Sequence, residues 1–272
     1  MLEQYKNTVI QGDCLEWLPK FPSQSFDLAI VDPPYNLSSG GNWKWDNSVK
    51  LEGMGGDWSK VMESWDNMPL RDYFQFSLAW LAEIKRLVKP SGSLWVHGTY
   101  HNIGLLNLCM QILGIEIINE VIWFKRNSFP NLSGRRLTAS HESILWAHTG
   151  GKKRLYRFNY EASKNTDYPE DLLKTRGTQM RTVWDIPNNK HKDELAYGKH
   201  PTQKPERLVF RMLDVSAPPE GLVLVPFAGS GTECVASRRR KLDFIGIELS
   251  ADYVKIAEAR LKALERQGRL LL

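Results

Sequence analysis

Four consecutive residues, Asp32, Pro33, Pro34 and Tyr35, combine acidic, rigid and aromatic groups directly after a short apolar run. The two prolines fix φ and remove two backbone donors, while their carbonyl oxygens stay free to accept hydrogen bonds. Asp32 adds a carboxylate and Tyr35 adds a flat ring. Acceptors beside an aromatic face suit a planar substrate with an amino group, such as adenine. A proline turn that only ends a strand is the alternative, and the flanking Asp and Tyr argue against it.

A second candidate site is a glycine-containing loop, which also follows an apolar run directly. Its residues are Phe227, Ala228, Gly229, Ser230, Gly231 and Thr232. Glycine lets a ligand approach the backbone closely, and the N-terminus of a following helix favours polar groups. A third glycine and a following Lys are both missing, so neither a pyrophosphate fingerprint nor a P-loop is complete.

The residue Glu248 adds a carboxylate to this second site. It ends the next predicted strand, 17 residues beyond Gly231. A carboxylate at that place can accept hydrogen bonds from both hydroxyls of a ribose. The loop and Glu248 together predict a nucleoside-bearing cofactor. A tight turn with a surface Glu is the alternative.

Alternating strands and helices must position these two sites. Apolar runs predict strands over Thr8–Ile10, Ser25–Val31, Ser93–His97, Ile115–Phe124, Gly221–Val225 and Asp243–Glu248. Helical spacing predicts helices over Arg71–Val88, His101–Leu113, Pro205–Val215, Gly231–Arg239 and Ala251–Gln267, with a turn at Lys89–Gly92 and a hairpin partner for Ile115–Phe124 at Ser143–Ala147. This order predicts a doubly wound, mostly parallel sheet. Ligands bind at the carboxyl ends of such strands, so the strands ending at Val31 and Val225 should lie side by side.

Positive charge is concentrated in one part of the chain. The whole sequence carries a net charge of +5. The range 125–207 holds 17 Lys or Arg against 9 Asp or Glu, a net of +8, which leaves about −3 for the rest. A basic block within a slightly acidic protein is typical of a surface that binds phosphate groups. A solvated surface without a partner is the alternative.

The remaining composition indicates an intracellular globular protein. The three cysteines, Cys14, Cys109 and Cys234, are far apart, so reduced thiols in the cytoplasm are expected and a metal site is not. The polar start of the chain resembles no secretory signal, and no apolar run reaches membrane-spanning length.

Taken together, the two motifs resemble those of the amino-methyltransferases of DNA, and their order resembles the β group of that family. Gly12–Leu15 is similar to the family's Gly-Asp segment beside the cofactor adenine, and His200–Pro205 to the segment that approaches the methionine end. Two further segments resemble segments of the same family: Trp123–Arg126 and His141–Trp146. The resemblance implies an α/β fold: a Rossmann-like S-adenosylmethionine-dependent methyltransferase with a circularly permuted, seven-stranded, mostly parallel sheet and an inserted target-recognition region.

The resemblance also implies domains and site residues. Residues 1–124 and 199–272 would form the catalytic domain, 125–198 the target-recognition region, and 36–69 a mobile loop over the target base, whose four Trp stack on bases or anchor the loop. Catalytic roles fall on Asp32, Pro33, Pro34 and Tyr35. Roles in binding S-adenosyl-L-methionine fall on Asp13, Cys14, Asp32, Lys204, Phe227, Ala228, Gly229, Ser230, Gly231, Thr232 and Glu248. DNA contacts are expected from Lys125, Arg126, Arg135, Arg136, Lys152, Lys153 and Arg154.

The implied activity is direct methyl transfer to adenine N6 of a flipped or single-stranded base, within a restriction-modification system. The implied partners are DNA, double-stranded or possibly single-stranded, and a second copy of the chain in a homodimer. A cognate restriction endonuclease is implied as a functional partner, without any necessary contact between the two proteins. Leu37–Gly41 and Gly56–Trp58 resemble a subgroup that methylates GATC. Two alternatives stay open. Cytosine N4 is methylated by relatives that more often begin the motif with Ser. Val225 stands where the family usually has Asp, which leaves room for a non-catalytic DNA-binding relative.

Overall fold

The computed structural model describes residues 2–36, 68–128, 130, 135–188, 190–198 and 200–270, without the side chains of Lys152 and of residues 267–270. Nearly all of the predicted mobile loop, 36–69, lies outside the described residues. The same holds for its four Trp, its paired glycines and both segments that resemble the GATC subgroup. Only Asn36, Met68 and Pro69 of this range are described.

The described residues form an eight-stranded sheet with the order β1-β8-β7-β2-β3-β5-β4-β6. The strands are β1 (Thr8–Gln11), β2 (Phe26–Val31), β3 (Val88–Gly98), β4 (Glu116–Phe124), β5 (His141–His148), β6 (Val183–Asp185), β7 (Leu222–Val225) and β8 (Asp243–Glu248). Every pairing is parallel except the two that β5 makes, with β3 and β4. The mostly parallel sheet is confirmed.

Helices cover both faces of this sheet. They are α1 (Cys14–Trp17), α2 (Leu70–Leu87), α3 (Ile103–Ile112), α4 (Tyr160–Asn165), α5 (Glu206–Ser216), α6 (Thr232–Arg239) and α7 (Ala251–Leu270). Successive strand residues point to opposite faces. Thus Leu28 and Ile30 pack with residues of α5, α6 and α7, while Ala29 and Val31 pack with residues of α1, α2 and α3. Both faces are apolar, which explains the unbroken apolar runs, and the doubly wound prediction is confirmed.

Two details of the strands differ from the prediction. The sheet has eight strands instead of seven, because β6, from the last part of the predicted insertion, pairs with β4. The segment Lys89–Gly92 is part of β3 and not a turn. Its pairing with β2 jumps from Phe26–Val88 to Leu28–Ser93, so the extra residues bulge out of the ladder. The sequence Lys-Pro-Ser-Gly is compatible both with a turn and with a bulge in a strand.

The division into a catalytic domain and a target-recognition region remains a prediction. Both β5 and β6 come from the range 125–198 and are strands of the main sheet. The hairpin-like pairing of Ser143–Ala147 with the preceding strand is confirmed in β4 and β5. Any recognition region is therefore joined to the sheet by its own strands.

Two further observations concern the chain as a whole. Cys14, Cys109 and Cys234 are free and buried. In the described ranges, no helix combines the length and apolar character needed to cross a membrane.

Close packing between two helices requires glycine at position 231. Its φ is +79°, a conformation that favours glycine. A Cβ added there would lie 2.7 Å from the Cβ of Ala257 and 3.1 Å from its Cα. The start of α6 can therefore approach α7 only without a side chain at this position.

Substituting Gly231 with Ala should destabilise the fold by roughly 2–5 kcal/mol, since backbone strain and overpacking add. Gly229 is the matched control: its φ is also positive, +50°, but an added Cβ would meet no atom closer than 3.6 Å. Gly229→Ala should cost only about 1–2 kcal/mol. Urea unfolding measures both, and equal losses would contradict the packing role.

Candidate active site

Both predicted motifs lie at one edge of the sheet. The strands that carry them, β2 and β7, are parallel neighbours, with Leu28 opposite Val223 and Ala29 opposite Leu224. Their carboxyl ends at Val31 and Val225 therefore lie side by side, as predicted. The prolines after Val31 lack the backbone donors that would continue the ladder. The chain leaves the sheet there and turns the acidic segment toward the glycine loop.

A cavity of about 310 Å³ lies between the two turns. Its size falls in the range of small-molecule sites. All predicted catalytic and cofactor-binding residues line it except Gly231. They are Asp13, Cys14, Asp32, Pro33, Pro34, Tyr35, Lys204, Phe227, Ala228, Gly229, Ser230, Thr232 and Glu248.

Asp32 is held in the cavity wall by two donors. Lys204 Nζ lies 2.7 Å from Oδ2, and the Tyr35 hydroxyl donates to Oδ1 at 2.5 Å. Burial alone would raise the pKa of Asp32, but the Lys204 ammonium and these hydrogen bonds outweigh it and hold the pKa below its usual value. Asp32 is therefore ionised at neutral pH. A carboxylate has about four acceptor positions, so it can still accept a further hydrogen bond.

Glu142, at the start of β5, extends this charged cluster. Its Oε1 accepts from Lys125 Nζ at 2.9 Å, and its Oε2 lies 3.4 Å from the Tyr35 hydroxyl and 3.8 Å from Lys204 Nζ. Burial would raise the pKa of Glu142, but Lys204 and Lys125 keep it low. Lys204 itself is buried, and its two carboxylate neighbours raise its pKa despite that burial. Two lysines thus balance two carboxylates.

The two proline carbonyls differ in their availability. The Tyr73 hydroxyl donates to the Pro34 carbonyl at 2.7 Å, and Asn102 Nδ2 donates to that hydroxyl at 3.0 Å. The expectation that both carbonyls stay free is therefore wrong for Pro34, because a side chain of α2 already uses it. No hydrogen bond to the Pro33 carbonyl is found in the described part of the chain, and Pro33 lines the cavity.

The segment that follows Tyr35 is fixed at its described ends. Asn36 Nδ2 donates to the Met68 carbonyl at 2.9 Å, and the Met68 amide donates to Asn36 Oδ1 at 2.8 Å. Asn36 has a φ of +53°, which Asn tolerates better than most residues. This pair of bonds sets Met68 against the cavity beside Tyr35.

On the opposite wall, two carboxylates shape the predicted cofactor site. Glu248 Oε2 accepts from the Gly229 amide at 2.7 Å, and Oε1 accepts from the Ser250 amide at 2.8 Å. Asp13 caps α1 by accepting from the Leu15 amide at 2.8 Å. A carboxylate has about four acceptor positions, and both side chains line the cavity, which suits ligand hydroxyl or amino groups.

A buried arginine supports the glycine loop from behind. Arg260 Nη1, on α7, donates to the Ser230 carbonyl at 2.8 Å and to Thr232 Oγ1 at 3.1 Å. Its Nη2 lies 2.8 Å from Glu206 Oε1, and Arg239 Nε lies 2.9 Å from Glu206 Oε2. The loop geometry therefore depends on a network between α5, α6 and α7.

Arg260→Met should destabilise the protein by about 3–5 kcal/mol and weaken cofactor binding, because it leaves Glu206 short of a buried partner. Arg239→Met is the matched control, since Arg239 contacts the same carboxylate but is partly exposed. It should cost about 1 kcal/mol or less. Urea unfolding and calorimetric titration of the cofactor measure both effects, and similar losses in the two variants would contradict the assignment.

Four predicted DNA-binding residues lie at the same edge as the cavity. Lys125 and Arg126 directly follow β4, and Arg135 and Arg136 precede β5. Lys125 is paired with Glu142, and Arg126 Nε lies 2.8 Å from Asp185 Oδ1. Arg136 is exposed and donates to the Tyr100 hydroxyl at 3.2 Å. The first two are thus already engaged in ion pairs.

The other predicted DNA-binding residues lie elsewhere. Lys153 and Arg154 follow β5, which runs antiparallel to its neighbours and carries the chain away from the cavity. Arg154 pairs with Glu116, the first residue of β4, at 2.8 Å. An eight-residue strand spans roughly 25 Å. Lys153 and Arg154 therefore lie at the opposite edge of the sheet from the cavity, and their contact with DNA remains a prediction. The side chain of Lys152 lies outside the description.

Several groups near the cavity were missed by the sequence interpretation. Glu142 and Arg260 are described above. His97, the second-last residue of β3, interacts electrostatically with Asp32, and burial lowers its pKa to about 4, so its ring is neutral. Glu233 lines the cavity from the first turn of α6. Lys190 donates to Asn188 Oδ1, and burial together with nearby Lys204 lowers its pKa to about 8.

One of these groups had a usable signal. The predicted hairpin already implied that β5 begins where the preceding strand ends, at the carboxyl edge of the sheet. That placement alone could have assigned Glu142 to the site. Lys190 and Arg260 could be found only from tertiary packing.

Solved structures show which class of protein has this fold. The structure of M1.HpyAVI in complex with SAM matches with a TM-score of 0.64 at 24% identity, over 93% of this chain and 98% of that one. PvuII DNA methyltransferase, which is cytosine-N4-specific, matches with a TM-score of 0.67 at 18% identity, over 96% of this chain and 93% of that one. The fold is that of the Rossmann-like DNA methyltransferases.

The family assignment follows from sequence comparison. The chain belongs to the N6/N4 group of DNA methylases, whose family model matches residues 26–259. It is 36% identical over 258 residues to the type II methyltransferase M2.DpnII of Streptococcus pneumoniae, which covers 95% of this chain and 90% of that one. The resemblance drawn from the two motifs is thereby confirmed.

Proposed function

We propose that this protein transfers the methyl group of S-adenosyl-L-methionine to the exocyclic N6 of adenine in DNA, as the modification enzyme of a restriction-modification system. The observation that carries the proposal is the single cavity shared by the Asp32–Tyr35 turn and the glycine loop on neighbouring strands. Membership of the DNA methylase family and similarity to a type II methyltransferase support it.

The cavity fits the proposed cofactor in its chemistry. Glu248 and Asp13 offer carboxylate oxygens for ribose hydroxyls and an adenine amino group, and the backbone at Gly229 permits close approach. Thr232 and Ser230 stand at the N-terminus of α6, where a ligand carboxylate is favoured. The cofactor supplies a methyl group activated by a positively charged sulfur.

On the substrate side, Asp32 and Pro33 provide the acceptors. In the proposed complex the Asp32 carboxylate accepts one N6 hydrogen and the Pro33 carbonyl accepts the other, while the Tyr35 ring stacks on the base. These bonds draw the nitrogen toward tetrahedral geometry and turn its lone pair to the methyl group. Positioning and electrostatics then supply the rate, and no covalent enzyme intermediate is required.

The target base must leave the duplex stack to reach this cavity, unless the DNA is single-stranded. Arg135, Arg136 and Lys190 are the cations we assign to DNA contact at this edge. Lys125 and Arg126 can join them only by sharing or leaving their carboxylate partners. Binding dominated by such contacts falls steeply with salt.

Adenine is favoured over cytosine because Asp, and not Ser, precedes the two prolines. The fold alone does not separate the two bases, since the PvuII enzyme shares it. Methylation of oligonucleotides in single-stranded and duplex form, with and without GATC, followed by mass analysis of the digested product, tests base, site and strand preference together. N6-methyladenine is expected, and N4-methylcytosine would refute the choice of base.

The second candidate is a non-catalytic DNA-binding role, which is considered because Val225 stands where the family usually has Asp. The Val225 side chain is fully buried in the core, and it does not line the cavity. Because position 225 is not part of the described cavity wall, having Val there instead of the family's usual Asp takes no polar group from that wall. This favours an active enzyme. Calorimetry decides the matter: no binding of S-adenosyl-L-methionine at millimolar concentration would support the non-catalytic role.

The setting of the enzyme is part of the same proposal. We place it in the cytoplasm, acting on DNA that a cognate endonuclease would otherwise cut, with no contact needed between the two proteins. A homodimer remains a prediction from the family resemblance. Sedimentation equilibrium would test it.

A further inference from the structure

Glu233 is a buried carboxyl group of the cavity wall that the proposed mechanism does not use. It lies in the first turn of α6, is 4% exposed, and lines the cavity together with Asp32 and Lys204. The carboxyl group accepts a hydrogen bond from the Glu233 backbone amide, and within the described residues no ion pair or side-chain hydrogen bond to it is found. A buried carboxylate without a counter-charge is costly, which points to a ligand that supplies one.

The charges around Glu233 are already balanced. Asp32, Lys204 and Arg260 act on it electrostatically. Asp32 and Lys204 pair with each other, and Arg260 pairs with Glu206. The remaining titratable groups on the cavity wall are Asp13, Cys14, Tyr35, His200, Glu248 and Tyr253. Glu233 is therefore the carboxyl group near Asp32 that is not already neutralised.

The position of the reacting atoms follows from the proposed function, on which this inference rests. The amino group bonded to Asp32 must lie roughly 3–3.5 Å from the methyl carbon in a reactive complex. The positive sulfur then lies in the part of the cavity around Asp32, and Glu233 lines the same cavity and interacts electrostatically with Asp32. In a low-dielectric site, such a cation needs a counter-charge.

We propose that the Glu233 carboxylate is the counter-ion of the cofactor's sulfonium and that Glu233 loses a proton when S-adenosyl-L-methionine binds. The carboxyl O–H bond breaks and the proton passes to the buffer. Once the methyl group has left, the sulfur is neutral and the counter-charge is no longer needed. Glu233 thus favours the methyl donor over its demethylated product, S-adenosylhomocysteine, and so limits product inhibition.

The direction in which pH changes donor affinity depends on whether Glu233 is protonated before the ligand binds. Burial, with Asp32 next in size, raises the pKa of Glu233 to about 7. Near pH 7 the group is about half protonated, and a bound cation lowers its pKa. Donor binding should therefore release about half a proton at pH 7, and donor affinity should rise between pH 6 and pH 8.

Calorimetric titrations in two buffers of different ionisation enthalpy test this with the full-length protein. At pH 7, wild type should release more protons with S-adenosyl-L-methionine than with S-adenosylhomocysteine. Glu233→Gln, which keeps the side-chain shape, should abolish that difference and weaken donor affinity about tenfold, with product affinity changed by less than about threefold.

Each outcome bears on one claim. Equal proton release with both ligands, or a difference that persists in Glu233→Gln, would overturn the sulfonium assignment while leaving the proposed function in place. The wild-type comparison alone decides this if Glu233→Gln does not fold. If folded wild type binds neither ligand, the proposed function fails and this inference fails with it.

Discussion

Asp32→Asn should lower the single-turnover rate of methyl transfer by about 10²–10³-fold while cofactor affinity stays within about threefold of wild type. Asparagine keeps the size of the side chain but loses the negative charge, and its amide nitrogen cannot accept a hydrogen bond from N6. Quenched-flow measurements with saturating cofactor and DNA give the rate, and calorimetry gives the affinity. Near-normal transfer would refute the role given to Asp32.

The ion pair with Lys204 makes a control necessary. Asp32→Asn leaves a buried ammonium with Glu142 as its nearest acidic neighbour, at 3.8 Å, so some loss of activity could come from unfolding. The double variant Asp32→Asn/Lys204→Met removes both charges. It should regain stability in urea unfolding but not activity. Recovery of transfer in the double variant would mean that Asp32 acts only as a partner for Lys204.

The sheet and the two turns of the candidate site were predictable because their signals are local. A strand buried on both faces is an unbroken apolar run, and Pro-Pro or a glycine bend ends it sharply. The runs before Asp32 and Phe227 have this form. The rule that ligands bind at the carboxyl ends of parallel strands then placed both turns in one cleft.

The rest of the site depends on contacts between distant segments. Lys204 lies 172 residues from Asp32, and no pattern shows that its ammonium meets that carboxylate instead of the cofactor. Arg154 was assigned to the DNA face by composition alone. The antiparallel course of β5 then took it to the other edge of the sheet. A high density of basic residues along the sequence does not show at which edge of the sheet each of them lies.

Lys204→Met should shift the acidic limb of the pH–rate profile to higher pH and lower the rate at neutral pH by about tenfold. Lys204 holds the pKa of Asp32 below its usual value, and without it burial raises that pKa. Activity needs ionised Asp32, so it is present above this pKa and lost as pH falls through it. A higher pKa therefore removes activity from the acidic side first.

The pH profile also separates the two roles considered for Lys204. The sequence resemblance assigns it to the cofactor, whereas the structure places its Nζ 2.7 Å from Asp32 Oδ2. A cofactor ligand would change the KM for S-adenosyl-L-methionine and leave the acidic limb in place. Lys125→Met is the matched control, because Lys125 contacts Glu142 and not Asp32. It should leave the limb near its wild-type position, and an unmoved limb in Lys204→Met as well would restore the cofactor role.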